Sequence, residues 1–232
     1  MNKEKSMIKI KNLERHYKTG DIIVKALNGV SFEVKPGEFI AIMGPSGSGK
    51  TTMLRILGLI DKPTNGSYTI NNLNLVDLPE EERNYYRLTQ LGYVFQDYAL
   101  VNEMTVAENV YLLSLMEGKT KKEAVFISKE ALDRVGLGDK LDRVPDQISG
   151  GEKQRVAVAR AIAKKPRILF ADEPCANLDT QTSEQVLEVL KILNEKFGQT
   201  IVMVTHEAWH TRYVSRIISL KDGLIASDRK IR

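Results

Sequence analysis

Cysteine is almost missing from this chain of 232 residues. Cys175 stands alone, which excludes an internal disulfide and any zinc site built on several thiolates. Long apolar runs are missing as well. The longest are "FIAIM", "ILFA" and "IVMV", far short of the roughly 20 residues that span a bilayer. The only histidines, His16, His206 and His210, lack the spacing of a metal site. Charge of one sign is not in excess: 34 basic and 30 acidic residues interleave, for a net charge of +4. That balance reads as an ordinary solvated surface, and no nucleic-acid partner is expected. The opening stretch, "MNKEKSMIKIKNLERHYK", is charged throughout and carries no apolar core of a secretory leader. A cytoplasmic location is therefore expected. No repeat or low-complexity tract interrupts the chain, and its size and mixed composition fit one α/β domain over residues 1–232.

What is present falls into three zones. Residues 7–13 alternate apolar and polar (Met7, Ile10, Leu13), as a half-buried strand does. "IIVKALNGVSFEV", residues 22–34, reads as two strands about an Asn28-Gly29 hairpin turn. "EFIAIM", residues 38–43, is a continuous apolar strand buried on both faces, followed by a helix from about Lys50 to Leu59. "GSYTIN", 66–71, returns to strand. Residues 79–145 read as mainly helical, with capping boxes at "TVAE" (105–108) and "TKKE" (120–123). Gly118 and Gly136 sit where helix C-caps fall. "RILFA" (167–171) and "TIVMVT" (200–205) are buried strands. Between them Val186, Leu187, Leu190 and Leu193 mark a helix. The tail forms a hairpin at Asp222-Gly223. The expected architecture is a mixed central sheet with an N-terminal antiparallel β subdomain. A helical lobe over roughly 95–160 interrupts an α/β core of 1–94 and 161–232.

Three strands end in chemistry. Gly44-Pro45-Ser46-Gly47-Ser48-Gly49-Lys50-Thr51 matches G-x4-G-K-[ST] between a strand and a helix. A chain of this length matches that pattern by chance only about once in a hundred. Its glycines let backbone N–H groups converge on phosphate, Lys50 brings charge to the β- and γ-phosphates, and Thr51 can ligate Mg2+. Thr52 continues the same helix start. "RILFA" ends in Asp172-Glu173, and ligands in parallel sheets sit beyond the carboxyl ends of strands. Asp172 then suits the Mg2+ carboxylate, and Glu173 is placed to orient or deprotonate a water. "TIVMVT" ends in His206-Glu207, at the same edge. A fourth feature is "QISGGEKQRVAVARA", 147–161. Its Ser-Gly-Gly step opens a helix, which is a second potential anion site about a hundred residues from the first. Ser149 to Glu152 is also a capping box, so Ser149 reads either as a cap or as a ligand-binding residue.

With these motifs in this order, the chain resembles the nucleotide-binding subunit of an ATP-binding cassette (ABC) transporter over nearly its whole length. The resemblance implies ATP and Mg2+ as the bound species and ATP hydrolysis as the activity. It makes Tyr17 similar to the adenine-stacking aromatic. Gln96 in "YVFQDY" resembles the glutamine that meets Mg2+, takes part in catalysis and moves with the membrane partner. Ser149-Gly150-Gly151 resembles the signature motif, Asn177-Leu178-Asp179 the D-loop, and His206 the catalytic switch histidine. It further implies a head-to-tail dimer in which the signature of one subunit closes on the γ-phosphate held by the other. Departures occur at Ile148, at Glu152, which either adds negative charge near a triphosphate or points away along the helix, and at Cys175-Ala176.

Only about fifty residues separate Gln96 from the signature, without sustained heptads. That is unlike the coiled-coil relatives of DNA repair, although a non-transport regulatory or nucleic-acid ATPase is the alternative reading. "YKTGDIIVKALNGVSFEV" and "GPSGSGKTTMLRILGLIDKPTNG" resemble the lipoprotein-release, macrolide-efflux and antimicrobial-peptide-resistance subgroup. The implied partners are a second cassette and a separate integral membrane permease, which would hold the chain on the inner face of the cell membrane. The permease would dock a short helix near Gln96–Val101. Tyr98, Leu100 and Val101 are candidates for that surface or, equally, for the core.

Overall fold

The structure, a computed structural model, describes residues 6–231. Two long antiparallel strands open it, β1 (Ile8–Thr19) and β2 (Ile22–Val34), joined through Gly20-Asp21. The Asn28-Gly29 turn expected from the sequence is not there, because β2 runs straight through it. Leu13 faces Val30 and Glu14 faces Asn28, so Gly29, at φ 94°, is an extra residue in a bulge. The left-handed backbone that glycine allows bends a strand here instead of reversing it.

Next come β3 (Phe39–Met43), α1 (Lys50–Leu57), β4 (Asn65–Ile70), β5 (Leu73–Asn74) and α2 (Glu80–Gln90). α1 stops two residues earlier than expected, since Gly58 caps it and Leu59 turns to φ 58°. The stretch read as mainly helical contains a strand, β6 (Leu91–Val94), starting directly where α2 ends. The lobe that follows holds α3 (Val106–Met116), α4 (Lys121–Arg134) and α5 (Gly150–Ile162). The capping boxes at Thr105 and Thr120 both form. β7 (Ile168–Asp172), α6 (Thr180–Phe197), β8 (Thr200–Val204), β9 (Arg216–Lys221) and β10 (Leu224–Lys230) complete the chain. β9 and β10 meet at Asp222-Gly223, both at positive φ, as that hairpin requires.

β2, β1, β4 and β5 form one antiparallel sheet, and a mixed sheet runs in the order β10-β9-β3-β8-β7-β6. In the second sheet β9, β3, β8, β7 and β6 are parallel, while β10 pairs antiparallel with β9. The apolar strands are continuous because both faces are covered. Phe39, Ala41, Leu169, Ala171, Ile201 and Met203 pack towards α3, α5 and α6. Their alternates, Ile40, Ile42, Ile168, Phe170, Val202 and Val204, pack towards α1 and the antiparallel sheet.

β6 is pressed against α5 at Gly92. A Cβ there would lie 2.7 Å from the Ala161 carbonyl oxygen and 2.9 Å from Leu169 Cδ1. Gly92→Ala is therefore expected to destabilise the fold by about 1–3 kcal/mol through overpacking. A fall in the urea midpoint at unchanged m-value would show it; an unchanged midpoint would contradict this packing.

Candidate nucleotide site

The loop after β3 is shaped first by its own chain. Gly44 has φ 152° and Gly49 φ 97°, and a Cβ on either would come within 2.2 Å of a backbone oxygen, that of Leu220 or Ala26. A Cβ on Gly47 would meet nothing within 4 Å. Two of the three glycines thus let the loop seat against β9 and β2, and only the third faces open space. Gly49 caps α1 without a side-chain bond, and no acid occupies the first turn. The N–H groups at this helix start are open towards an anion. Lys50 is buried, and its Nζ donates to the carbonyls of Gly44 and Pro45, each at 2.9 Å. A buried ammonium held only by carbonyls fits a phosphate better than it fits its present partners.

Above this loop lies a cavity of about 490 Å³. Ser46, Gly47, Gly49, Lys50, Thr51 and Thr52 line it together with Glu173 and His206. Thr51 Oγ1 donates to Asp172 Oδ1 at 3.4 Å, and Tyr93 Oη donates to Asp172 Oδ2 at 3.2 Å. Burial pushes the Asp172 carboxyl up, with the Glu173 charge adding to it, although the bonds from Tyr93 and Thr51 pull the other way. Burial beside Asp172 also raises the Tyr93 phenol, so it remains a donor. A buried carboxylate and a hydroxyl side by side, with no cationic side chain hydrogen-bonded to them, suit a hard divalent cation such as Mg2+.

Glu173 sits at φ 43°, and its N–H donates to the Val204 carbonyl. This left-handed turn carries its side chain to the cavity mouth. His206 lies between two carboxylates, Nδ1 3.3 Å from Glu173 and Nε2 3.2 Å from Glu207.

The second helix start is elsewhere. Ser149, Gly150 and Gly151 do not line the cavity over the P-loop. The capping box forms: Ser149 Oγ accepts from the Glu152 N–H at 3.3 Å, and Glu152 Oε2 accepts from the Ser149 N–H at 2.8 Å. That backbone bond holds the Glu152 carboxyl below its usual range. Glu152 turns back to the helix start instead of running along the helix. Around this start gather the other predicted motifs. A Cβ on Gly150 would lie 3.2 Å from Tyr98 Oη and 3.4 Å from Leu178 Cδ2, and one on Gly151 only 2.0 Å from Thr182 Cγ2. Asn177 Nδ2 donates to the Gln96 carbonyl at 3.3 Å. Asp179 caps α6, accepting from the Thr182 N–H and hydroxyl. The Gln96 side chain is exposed at this junction.

Tyr17 is not part of the cavity lining. Its hydroxyl donates to Asp61 at 2.9 Å, and the Arg15 guanidinium stands 4.5 Å from its ring centroid. Of the docking candidates, Val101 lines a groove between core and lobe, Leu100 packs on the core, and Tyr98 meets Gly150.

Sequence reasoning missed Tyr93, which only the pairing of β6 with β7 brings to Asp172. It also missed Arg160, whose guanidinium donates to the carbonyls of Tyr98 and Ala99. Both of those residues have positive φ. A charge inside the apolar run "VAVARAI" was the available signal.

Fold and loop together define a P-loop nucleotide-binding cassette. A family model described as ABC transporter matches residues 27–176. The chain is 43% identical over 230 residues to the uncharacterized ABC transporter ATP-binding protein MJ0796 of Methanocaldococcus jannaschii, covering 97% of this chain and 98% of that one. It is 44% identical over 227 residues to the macrolide export ATP-binding/permease protein MacB of Chlorobium luteolum, covering 97% of this chain but 33% of that protein. A solved structure of MJ0796, described as a dimeric post-hydrolysis state bound to ADP and Pi, superposes with a TM-score of 0.90. It is 42% identical and covers 97% of this chain and 99% of that one. This chain belongs to the ABC transporter family.

A carboxyl raised by burial opposes folding increasingly as pH rises from its unfolded value through its folded one. Asp172→Asn is thus expected to raise the thermal midpoint of the nucleotide-free protein by a few degrees at pH 7. The gap should narrow towards pH 4. A variant that melts below wild type at pH 7 would contradict the assigned burial cost.

Proposed function

We propose that this chain is the ATP-hydrolysing subunit of an ABC transporter or a related membrane complex, working as a head-to-tail dimer. One observation carries the reading: of the two helix starts expected to bind phosphate, at Lys50 and at Gly150, only the first lines the chain's own nucleotide cavity. The second finds a use if it closes on the nucleotide of another copy. The solved MJ0796 structures are described as dimeric, which supports the same arrangement.

In this reading the N–H groups of 46–52 bind the α- and β-phosphates, and Lys50 leaves its two carbonyls for the β/γ-phosphates. Thr51, Asp172 and Gln96 would hold Mg2+, with Tyr93 orienting Asp172. Bound there, Mg2+ would neutralise charge developing on the phosphoryl oxygens. Glu173 takes the proton of the attacking water, and His206 steadies the γ-phosphate. Ser149, Gly150 and Gly151 of the opposite copy supply further donors, and Asp179 anchors the D-loop between the two sites. Tyr17 stacks on adenine. Loss of the γ-phosphate then removes the bridge between subunits.

A groove of about 910 Å³ between core and lobe supports a permease partner. Its apolar walls include Leu88, Phe95, Val101, Leu112, Leu113 and Met116. It lies beside the Gln96 loop, so an apolar helix seated there would bear on the site. Among the described residues no helix is long and apolar enough to cross a membrane. Membrane association, on the inner face, would come through that partner. The MacB relatives carry a permease in the same polypeptide by name, and this chain spans 33% of the length of one of them.

Glu173→Gln is expected to bind MgATP, to lose hydrolysis by about 10²–10⁴-fold and to accumulate as a dimer on gel filtration with ATP. Glu173→Gln/Ser149→Arg should still bind ATP and elute as a monomer. Equal dimer formation by both would remove the composite site.

A further inference from the structure

His210 is buried, 3% exposed, in the short 3-10 turn Ala208–Tyr213, and no role proposed so far uses it. Its Nδ1 lies 2.7 Å from Thr205 Oγ1. The same Oγ1 accepts the Glu207 N–H at 3.1 Å. A hydroxyl oxygen can hold both bonds at once, so Thr205 Oγ1 joins the Glu207 N–H to the His210 ring. The His210 N–H closes the loop by donating to the Glu207 carbonyl at 3.2 Å. His206 is thus the one residue spanned by a small turn whose two ends are tied to His210.

Two further observations separate this tie from ordinary core packing. First, a cavity of about 170 Å³ lies beside the turn, lined by Thr205, His206, Glu207 and His210 together with Glu173 and Cys175. Side-chain packing therefore does not hold the turn on that side, and the hydrogen bonds do. Second, His210 Nε2 is buried without a hydrogen-bond partner among the described residues. An unsatisfied buried polar atom works against stability, and an apolar residue of similar size would avoid it. Burial also pushes the imidazole down to about 4, which keeps it neutral. Trp209 covers it edge-on at 4.2 Å between centroids.

We propose that His210 is a positioning residue of the hydrolytic site: through the bond between its Nδ1 and the Thr205 hydroxyl it fixes the turn that presents His206 to Glu173 and to the P-loop cavity. The role rests on the ATPase reading above. It acts on orientation and not on nucleotide affinity, because neither Thr205 nor His210 lines the P-loop cavity.

The test uses the complete chain with MgATP. His210→Leu is expected to fold at least as stably as wild type and to lower kcat about tenfold or more, as misplacement of a reacting group does. KM for ATP should be unchanged, as should ATP-driven dimerisation in the Glu173→Gln background. His210→Asn, whose amide can donate or accept near the Nδ1 position, should recover most of the rate. Thr205→Val, which also removes the acceptor of the Glu207 N–H, should be at least as slow as His210→Leu, and the double variant no slower than Thr205→Val alone, as expected for two residues acting through one turn. Wild-type kcat in His210→Leu would overturn the proposal. So would additive losses in the double variant, or a His210→Asn as slow as His210→Leu. A His210→Leu protein that loses stability and ATP binding together would mark the residue as structural and also overturn it. Failure of the underlying reading looks different: wild type itself would then show no Mg-dependent hydrolysis, and the role would fall with it.

Discussion

The parallel pairing of β3, β7 and β8 is the constraint on which the site depends. Ile42 lies opposite Val204, and Val204 opposite Asp172. That register delivers Gly44, Asp172-Glu173 and Thr205-His206 to one edge of one sheet. Side chains alternate faces with a period of two, so a slip of one residue would turn an entire strand over. It would exchange the Leu169/Ala171 face for the Ile168/Phe170 face and carry Asp172 away from Thr51. Both faces of these strands are buried in different cores. The packing that stabilises the fold therefore also sets the geometry of the carboxylates.

The second assembly point depends on contacts between loops. Arg160, ten residues into α5, holds the carbonyls of Tyr98 and Ala99, and Gln154 donates to the carbonyl of Phe95 at 3.3 Å. Burial holds the Arg160 guanidinium below its usual range, and carbonyl partners offset part of that desolvation without neutralising its charge. The loop carrying Gln96 is thus fastened to the helix that begins at Ser149. Since Phe95, Ala99 and Arg160 also line the apolar groove, displacement of that loop at the groove would be felt at the signature helix through fixed hydrogen bonds.

Legibility of these features in the sequence followed the physics of each signal. Strands buried on both faces, "FIAIM" and "TIVMVT", announce themselves by unbroken apolar character. Capping boxes at Thr105, Thr120 and Ser149 are local and form as read. β6 was hidden because it is four residues long and follows α2 without a turn residue between them. Asn28-Gly29 misled because a bulge and a hairpin ask for the same left-handed glycine, and only the partner strand distinguishes them. The Tyr93–Asp172 and Thr205–His210 bonds differ in kind. The first joins residues 79 apart and depends wholly on sheet order. The second joins residues five apart, yet it needs burial to matter, and burial of a polar tail residue leaves no trace in composition.

The capping box at Ser149 leaves part of its helix start open although that start carries an acid. The box engages the N–H groups of Ser149 and Glu152. The N–H groups of Gly150 and Gly151, in the first turn of α5, have no carbonyl partner within the helix, since a helix leaves its first donors open. Glu152 therefore uses donors at the two ends of the box and leaves the two glycines between them. Its carboxylate also helps fix Ser149 in the extended conformation that aims those glycines outward (φ −67°, ψ 164°). A neutral glutamine could make the same reciprocal bond without repelling an incoming phosphate. The acid in its place exchanges some attraction for a firmer cap, because a charged acceptor bonds a backbone N–H more strongly than a neutral one. The balance moves towards a preformed helix start that attracts an anion less strongly.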